Sequence, residues 1–293
     1  IMALPWWAGH KIEFAMRAPV ANENAAEAAV GKAETQKTHA GGVISAGFPY
    51  NSFPVSPERD TPHLIGPSLF QKNLSAQSAL VVDTESNVAL YKKNIDEVRP
   101  IGSITKLITV LTVLDTHPDW NKEITIINED GFQGPTVLKI GDKVSVADLF
   151  HIGLIASANN AINALVRSTG LTRVEFADRM NKKAEELGLL SSRFVEPTGL
   201  DKGNQSTASD IARLLRLALL QNDIQSITSM SSYKFRTRNT NIMHTVKSTD
   251  MLLSGQADVG SAIARVVGGK TGFIDEAGYC FAMEVEGKNK KHI

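Results

Sequence analysis

Ser103-Ile104-Thr105-Lys106, Ser157-Ala158-Asn159 and Lys270-Thr271-Gly272 follow one another along the chain, and together they hold the parts of an acyl-transfer site. If Ser103 opens a helix, Lys106 stands one turn further along the same face. The helix N-terminus favours a developing alkoxide at Ser103 and disfavours charge on Lys106. A lysine serves as a base only when burial or a nearby cation lowers its pKa, and Lys270 is the candidate for that cation. Ser103 would lose its proton to Lys106 as it attacks a carbonyl, giving an acyl-enzyme. Ser157, in a loop, can relay a proton to the leaving amine, and Asn159 can bind a backbone amide of the substrate. Lys270 and Thr271 on a strand edge would hold a terminal carboxylate, while Gly272 lets the substrate backbone approach closely. The backbone N–H groups of Ser103 and Phe273 would supply an oxyanion hole.

Each motif alone is weak. An S-x-x-K or S-x-N triplet arises by chance roughly once in a chain of this length, and a second S-x-x-K does occur at Ser231-Ser232-Tyr233-Lys234. That copy lies in a polar, β-like stretch and reads as structural. A lone Ser103 or Ser157 is more often a helix cap. K-T-G is rarer, and the ordered trio in helix-start, loop and strand contexts is the strong signal. Other chemistries fail on spacing. Gly269-Lys270-Thr271 resembles the end of a phosphate-binding loop, but the first glycine of that motif falls on Ala264, and Gly272 stands where a helix should begin. His10, His39, His63, His117, His151, His244 and His292 are scattered and no paired Cys/His spacing exists, so neither a metal nor another cofactor is expected. Cys280 reads as a small buried residue beside the Lys270 strand.

Positioning these groups requires an α+β fold. Residues 79–83 and 88–92 are β-prone around Thr84-Glu85-Ser86-Asn87, which predicts a hairpin. Residues 104–114 are rich in Ile, Leu, Val and Thr; their length and the Gly102-Ser103 start predict a buried helix. Further helices are expected at 146–154, 161–166, 173–187 and 211–220, the last behind Thr207-Ala208-Ser209-Asp210, a capping box with Asp in the usual Glu place. Strands return at 264–271 and 279–285, and Lys288, Lys290 and Lys291 read as a solvated hairpin tip. The result is an antiparallel sheet drawn from both ends of the chain and packed on a mainly helical middle.

Composition is permissive. With 293 residues, 42% apolar and 21% charged, the chain can bury a sizeable core. Its formal net charge of zero gives no reason to expect nucleic acid as a partner, and no apolar run approaches the roughly 20 residues of a membrane span. Residues 1–67 hold seven of the eleven prolines without sustained period, and are expected to form a poorly ordered arm or linker before a domain at 68–293. The chain starts at Ile1 with no apolar signal-peptide core.

The trio has the S-x-x-K, S-D-N, K-T-G form that marks penicillin-binding proteins and class A β-lactamases. With Arg99-Pro100-Ile101-Gly102-Ser103, Arg193-Phe194-Val195-Glu196-Pro197-Thr198-Gly199-Leu200, Asn239-Thr240-Asn241 and Lys270-Thr271-Gly272-Phe273, the chain from about Leu80 onward resembles the D-alanyl-D-alanine peptidases among low-molecular-mass penicillin-binding proteins, in particular their endopeptidase (penicillin-binding protein 7) branch. That resemblance implies a β-lactamase/transpeptidase-like fold and a periplasmic or extracellular serine enzyme. It would cleave D-Ala-D-Ala termini or D-alanyl cross-links of peptidoglycan stem peptides, with β-lactam antibiotics as covalent inhibitors. It implies Ser103 as nucleophile, Lys106 as base, Ser157 and Asn159 as the second motif, and Lys270, Thr271 and Gly272 as the substrate strand. It also implies a last strand and a C-terminal helix beyond Ile293, without which a sheet edge and an apolar face would be left uncovered. A class A-like β-lactamase is the nearest rival, since Glu196 stands at a suggestive place for its hydrolytic base. Against it, Leu200 stands where that loop usually carries Asn, and Ala158 replaces the central Asp of the second motif. A non-catalytic cell-wall or β-lactam-binding protein and a general esterase or amidase are the remaining readings.

Overall fold

The computed structural model describes residues 74–131, 133–256, 263–288 and 293. The arm expected at 1–67 and the expected tip residues Lys290 and Lys291 lie outside the described residues. The chain enters through an antiparallel hairpin of β1 (Ala79–Val82) and β2 (Ala89–Lys93). Asp83 closes its turn by accepting from the N–H groups of Glu85 and Ser86. A two-residue strand β3 (Arg99–Pro100) follows, then a 3-10 turn, Gly102–Thr105, that leads directly into α1 (Lys106–Leu114).

α1 is apolar on every side and lies against four other helices, α2 (Val146–Ile155), α3 (Asn159–Ser168), α4 (Arg173–Glu186) and α5 (Ala208–Leu219). Residues Lys106 to Val113 are all buried. A helix of this kind is stable only at the centre of a core, and that burial overrides the low helix propensity of its β-branched residues. Its threonines are satisfied by backbone carbonyls: Thr112 Oγ1 donates to Ile108 of the same helix at 2.8 Å, and Thr109 Oγ1 to Pro197 of a distant loop at 2.7 Å.

The other helices start where the sequence supplies caps. Ser145 and Asp148 form a reciprocal capping box on α2, and Thr172 and Glu175 form one on α4. At α5 only half of the expected box forms. Thr207 accepts from the Asp210 N–H, but the Asp210 carboxylate accepts instead from Ser191 N–H and Ser192 Oγ, both at 2.8 Å. Asp148 shows that an aspartate can close such a box; Asp210 is instead drawn to Ser191 and Ser192, and its side chain ties α5 to the preceding loop.

After α6 (Asn222–Thr228) and the hairpin of β7 (Ser232–Arg236) and β8 (Met243–Lys247), the chain forms its longest ladder, β9 (Ile263–Ile274) with β10 (Gly278–Gly287). Both terminal hairpins pack on α5, which touches β1 and β10. One sheet drawn from both ends was the expectation. Among the described residues the two hairpins instead form separate antiparallel ladders, as do β7–β8, β3 with β6 (Gln205–Ser206), and β4 (Glu123–Thr125) with β5 (Lys143–Ser145). Near the end of β10, Val285 and Ile293 exchange both backbone hydrogen bonds, at 2.8 and 2.9 Å. Because side chains alternate along a strand, Cys280 and Ala282 face the core, while Tyr279 and Phe281 point to the exposed face of β10.

Replacing Ile108, fully buried on α1, by Ala should destabilise the fold by about 3 kcal/mol. Val174→Ala, on the exposed side of α4, should change stability by less than about 0.5 kcal/mol. Denaturant titrations of the two variants against the parent check both values.

Candidate active site

The 3-10 turn before α1 sets the geometry of the first motif. Ser103 is half-buried while Lys106 is 0% exposed, and Lys106 Nζ lies 2.6 Å from Ser103 Oγ. Two further groups surround the same nitrogen: Asn159 Oδ1 and the Thr198 carbonyl oxygen, each at 2.7 Å. Burial, the largest influence, and the positive charge of Lys270 push the Lys106 pKa well below its ordinary value, against an opposing pull from Glu196. A neutral amine has two N–H bonds and one lone pair. Asn159 and Thr198 can only accept, so they take the two N–H bonds, and the lone pair is left to receive the Ser103 proton. The nucleophile and its base are thus arranged for proton transfer along one 2.6 Å contact.

The second motif spans the junction between α2 and α3. Ser157 has a left-handed backbone (φ 56°), a conformation that costs a non-glycine residue about 1 kcal/mol or more. Its hydroxyl accepts from Lys270 Nζ at 2.9 Å. Asn159 opens α3 and is held from both sides: its Oδ1 faces Lys106, and its Nδ2 donates to the Gln133 carbonyl at 2.9 Å. It is 2% exposed, so its position suits orienting the base amine. Downstream on α3, Arg167 clamps Asp130 through Nε–Oδ1 and Nη2–Oδ2 contacts, both at 2.9 Å, which anchors the segment that carries Gln133.

Lys270, on β9, is 2% exposed, and burial lowers its pKa to about 7 against the raising effect of Asp250. Its ammonium also donates to the Thr271 carbonyl at 2.8 Å. Thr271 points to the other face of the strand, where its hydroxyl lies 2.5 Å from that of Thr249. Gly272 is needed for contact with the nucleophile turn, because a Cβ there would sit 2.8 Å from the Ile101 carbonyl oxygen and 2.9 Å from Ser103 N. On the opposite wall, a Cβ on Gly102 would approach Phe273 N to 3.0 Å. The backbones of Gly102–Ser103 and Gly272–Phe273 are therefore packed closely together, and the Phe273 ring is half-exposed.

The structure thus gathers Ser103, Lys106 and Asn159 into one hydrogen-bonded group, joins Ser157 to Lys270, and packs the Gly272–Phe273 backbone on the Ser103 turn. The second S-x-x-K starts at Ser231, just before β7, and ends at Lys234 on that strand, so it opens no helix that could set Lys234 one turn from the serine. Two contributors escaped the sequence reading: the Thr198 carbonyl, which any residue type could supply, and Thr249, whose neighbour on β9 comes from far along the chain.

The chain matches the D-alanyl-D-alanine carboxypeptidase (peptidase S11) family over residues 67–293, and it belongs to that family of serine-type D-alanyl-D-alanine peptidases. It is 33% identical over 226 residues to a D-alanyl-D-alanine endopeptidase of Pseudomonas aeruginosa, covering 73% of this chain and 68% of that protein. An endopeptidase of the same name from Escherichia coli is 28% identical over 253 residues, covering 81% and 76%. The fold superposes on a Streptomyces K15 DD-transpeptidase mutant with a TM-score of 0.66, at 27% identity over 75% of this chain and 88% of the other. It also superposes on penicillin-binding protein D2 of Listeria monocytogenes in its ampicillin-bound form, with a TM-score of 0.64, at 31% identity over 77% and 89%. Among the described residues no helix is long and apolar enough to cross a membrane.

Gly199 has a backbone φ of 87°, and a Cβ there would lie 2.0 Å from the Gly102 carbonyl oxygen. Gly199→Ala should therefore destabilise the protein by roughly 3 kcal/mol or more. It should also displace the Ser103 turn, seen as loss of acylation in whatever fraction stays folded.

Proposed function

We propose that the chain is a D,D-endopeptidase of peptidoglycan cross-links, acting through an acyl-enzyme on Ser103 in an extracytoplasmic compartment. The observation that carries this reading is the Lys106 amine, buried, 2.6 Å from Ser103 Oγ, with both of its N–H bonds committed elsewhere. Lys106 takes the Ser103 proton as the hydroxyl adds to the carbonyl of a D-alanyl residue, and the N–H groups of Ser103 and Phe273 receive the developing oxyanion. Ser157 passes its proton to the leaving amine and takes another from Lys270, to which it is hydrogen-bonded. Water then hydrolyses the acyl group, its proton restoring Lys270 through Ser157 while Lys106 returns its proton to Ser103. The choice of the cross-link over a free terminus is supported by the names of the endopeptidase relatives and by the Arg193–Leu200 motif. Against a β-lactamase stands Glu196, whose carboxylate is turned into its own loop and occupied by donors from Thr198, Gly199 and Asn204, leaving it no free lone pair to activate a water.

Purified cross-linked muropeptides incubated with the protein should yield monomers by mass spectrometry, and Ser103→Ala should leave them intact. Loss of only the terminal D-Ala would make the chain a carboxypeptidase instead. A fluorescent penicillin should remain bound to Ser103 for minutes or longer, whereas sub-second turnover would indicate a lactamase.

The pH dependence has a definite sign. Acylation requires Lys106 without its proton and Lys270 with its own. The second-order acylation rate of the free enzyme should therefore rise as Lys106 deprotonates, then fall as pH passes about 7, where Lys270 loses its charge. A rate still climbing at pH 9 would contradict the role given to Lys270.

A further inference from the structure

What holds Lys106 in place is a turn built around a second charged residue; the inference drawn from it rests on the acyl-enzyme reading above. Glu196 is half-buried at the start of the loop that runs to Asn204. Its Oε2 accepts from the Thr198 N–H at 2.7 Å and from Thr198 Oγ1 at 2.6 Å. Its Oε1 accepts from Gly199 N–H at 2.5 Å and Asn204 Nδ2 at 2.8 Å, with Asp201 N–H further off at 3.4 Å. Asn204, 0% exposed, grips the loop from behind: its Oδ1 accepts from the N–H groups of Val195 and Glu196, at 2.7 and 3.2 Å. The same residue reaches the nucleophile turn, since its Nδ2 lies 3.3 Å from Thr105 Oγ1 and its carbonyl accepts from Ile101 N–H at 3.2 Å. With its N–H and hydroxyl both drawn to Glu196, Thr198 presents its carbonyl to Lys106 Nζ at 2.7 Å.

We propose that Glu196 is a positioning residue for acylation: it fixes the turn whose Thr198 carbonyl binds one N–H of Lys106 and so aims the amine lone pair at Ser103. Asn204 fastens that turn to the segment bearing the nucleophile. The site depends on this because a backbone carbonyl goes only where its turn puts it, and a 1 Å misplacement of a reacting group costs about 100-fold in rate. Glu196 also acts on Lys106 through its charge. The charged groups bearing on Lys106 are Lys270 from β9, which lowers its pKa, and Glu196 from the loop, which raises it; burial lowers it most. Removing the Glu196 charge shifts Lys106 further down, so the acid limb of the acylation profile moves to lower pH.

The test compares Glu196→Gln and Glu196→Asp with the parent. Acylation by a fluorescent penicillin is followed from pH 4 to 9, and rates are normalised to titrated active sites so that misfolded protein does not count. Glu196→Gln should acylate roughly 10- to 100-fold more slowly per active site, with its acid limb displaced to lower pH. Glu196→Asp keeps the charge but falls short of the turn, so its rate should drop while its limb stays; it decides on rate should Glu196→Gln fail to fold. Per-site rates within about threefold of the parent in the variants that fold, or an unmoved limb in Glu196→Gln, would leave Glu196 as a loop brace and sink the proposal. Unchanged acylation with slowed penicilloyl release would instead make it a hydrolytic base. A parent protein that takes up no penicillin would overturn the acyl-enzyme reading itself, an outcome distinct from all of these.

Discussion

Burying an amine constrains the rest of this structure. A charged ammonium with no solvent contact is so costly that the group sheds its proton instead, and Lys106 sits at 0% exposure at the head of an apolar helix. Once neutral, it needs acceptors for two N–H bonds and a donor for its lone pair. The fold supplies these from three separate places: Asn159 at the start of α3, the Thr198 carbonyl from the loop after α4, and Ser103 from the turn before α1. α1 lies against the other helices around it, so their packing fixes the distances on which the proton transfer depends.

The second lysine works under the opposite requirement. Lys270 has partners that can hold a charged ammonium, Ser157 Oγ and the Thr271 carbonyl, and Asp250 supports that charge from nearby. The two amines repel each other when both are charged. A site with one neutral and one charged lysine divides base and electrostatic roles between like residues by environment alone. Glycines make the approach possible. At Gly199 and Gly272 the backbones of distant segments come closer than a side chain would allow, and at Gly102 the space is nearly as tight.

Much of this was legible in the residues. The hairpin at β1–β2, the buried helix after Ser103, the cap at Thr207 and the strand carrying Lys270 follow from period, turn chemistry and capping. The three motifs supplied most of the side chains that converge. What could not be read was either geometry that many sequences share or contact between distant segments. The Thr198 carbonyl carries no residue signature. Thr249 meets Thr271 only because the chain doubles back. The 3-10 turn at Gly102–Thr105 depends on the Gly199 and Gly272 backbones packed against it, and the half-formed box at Thr207 depends on Ser191 and Ser192 from the preceding loop.

The protonation state of Lys106 tests the central claim most directly. Nitrogen NMR of the protein labelled at lysine Nζ, with Lys106 assigned by comparison with Lys106→Arg, gives its titration curve without reference to any substrate. A neutral amine at pH 8, titrating well below the ordinary lysine value of about 10.4, is the result predicted here. An ammonium that stays charged to pH 10 would contradict it, because the lone pair that is to receive the Ser103 proton would not exist.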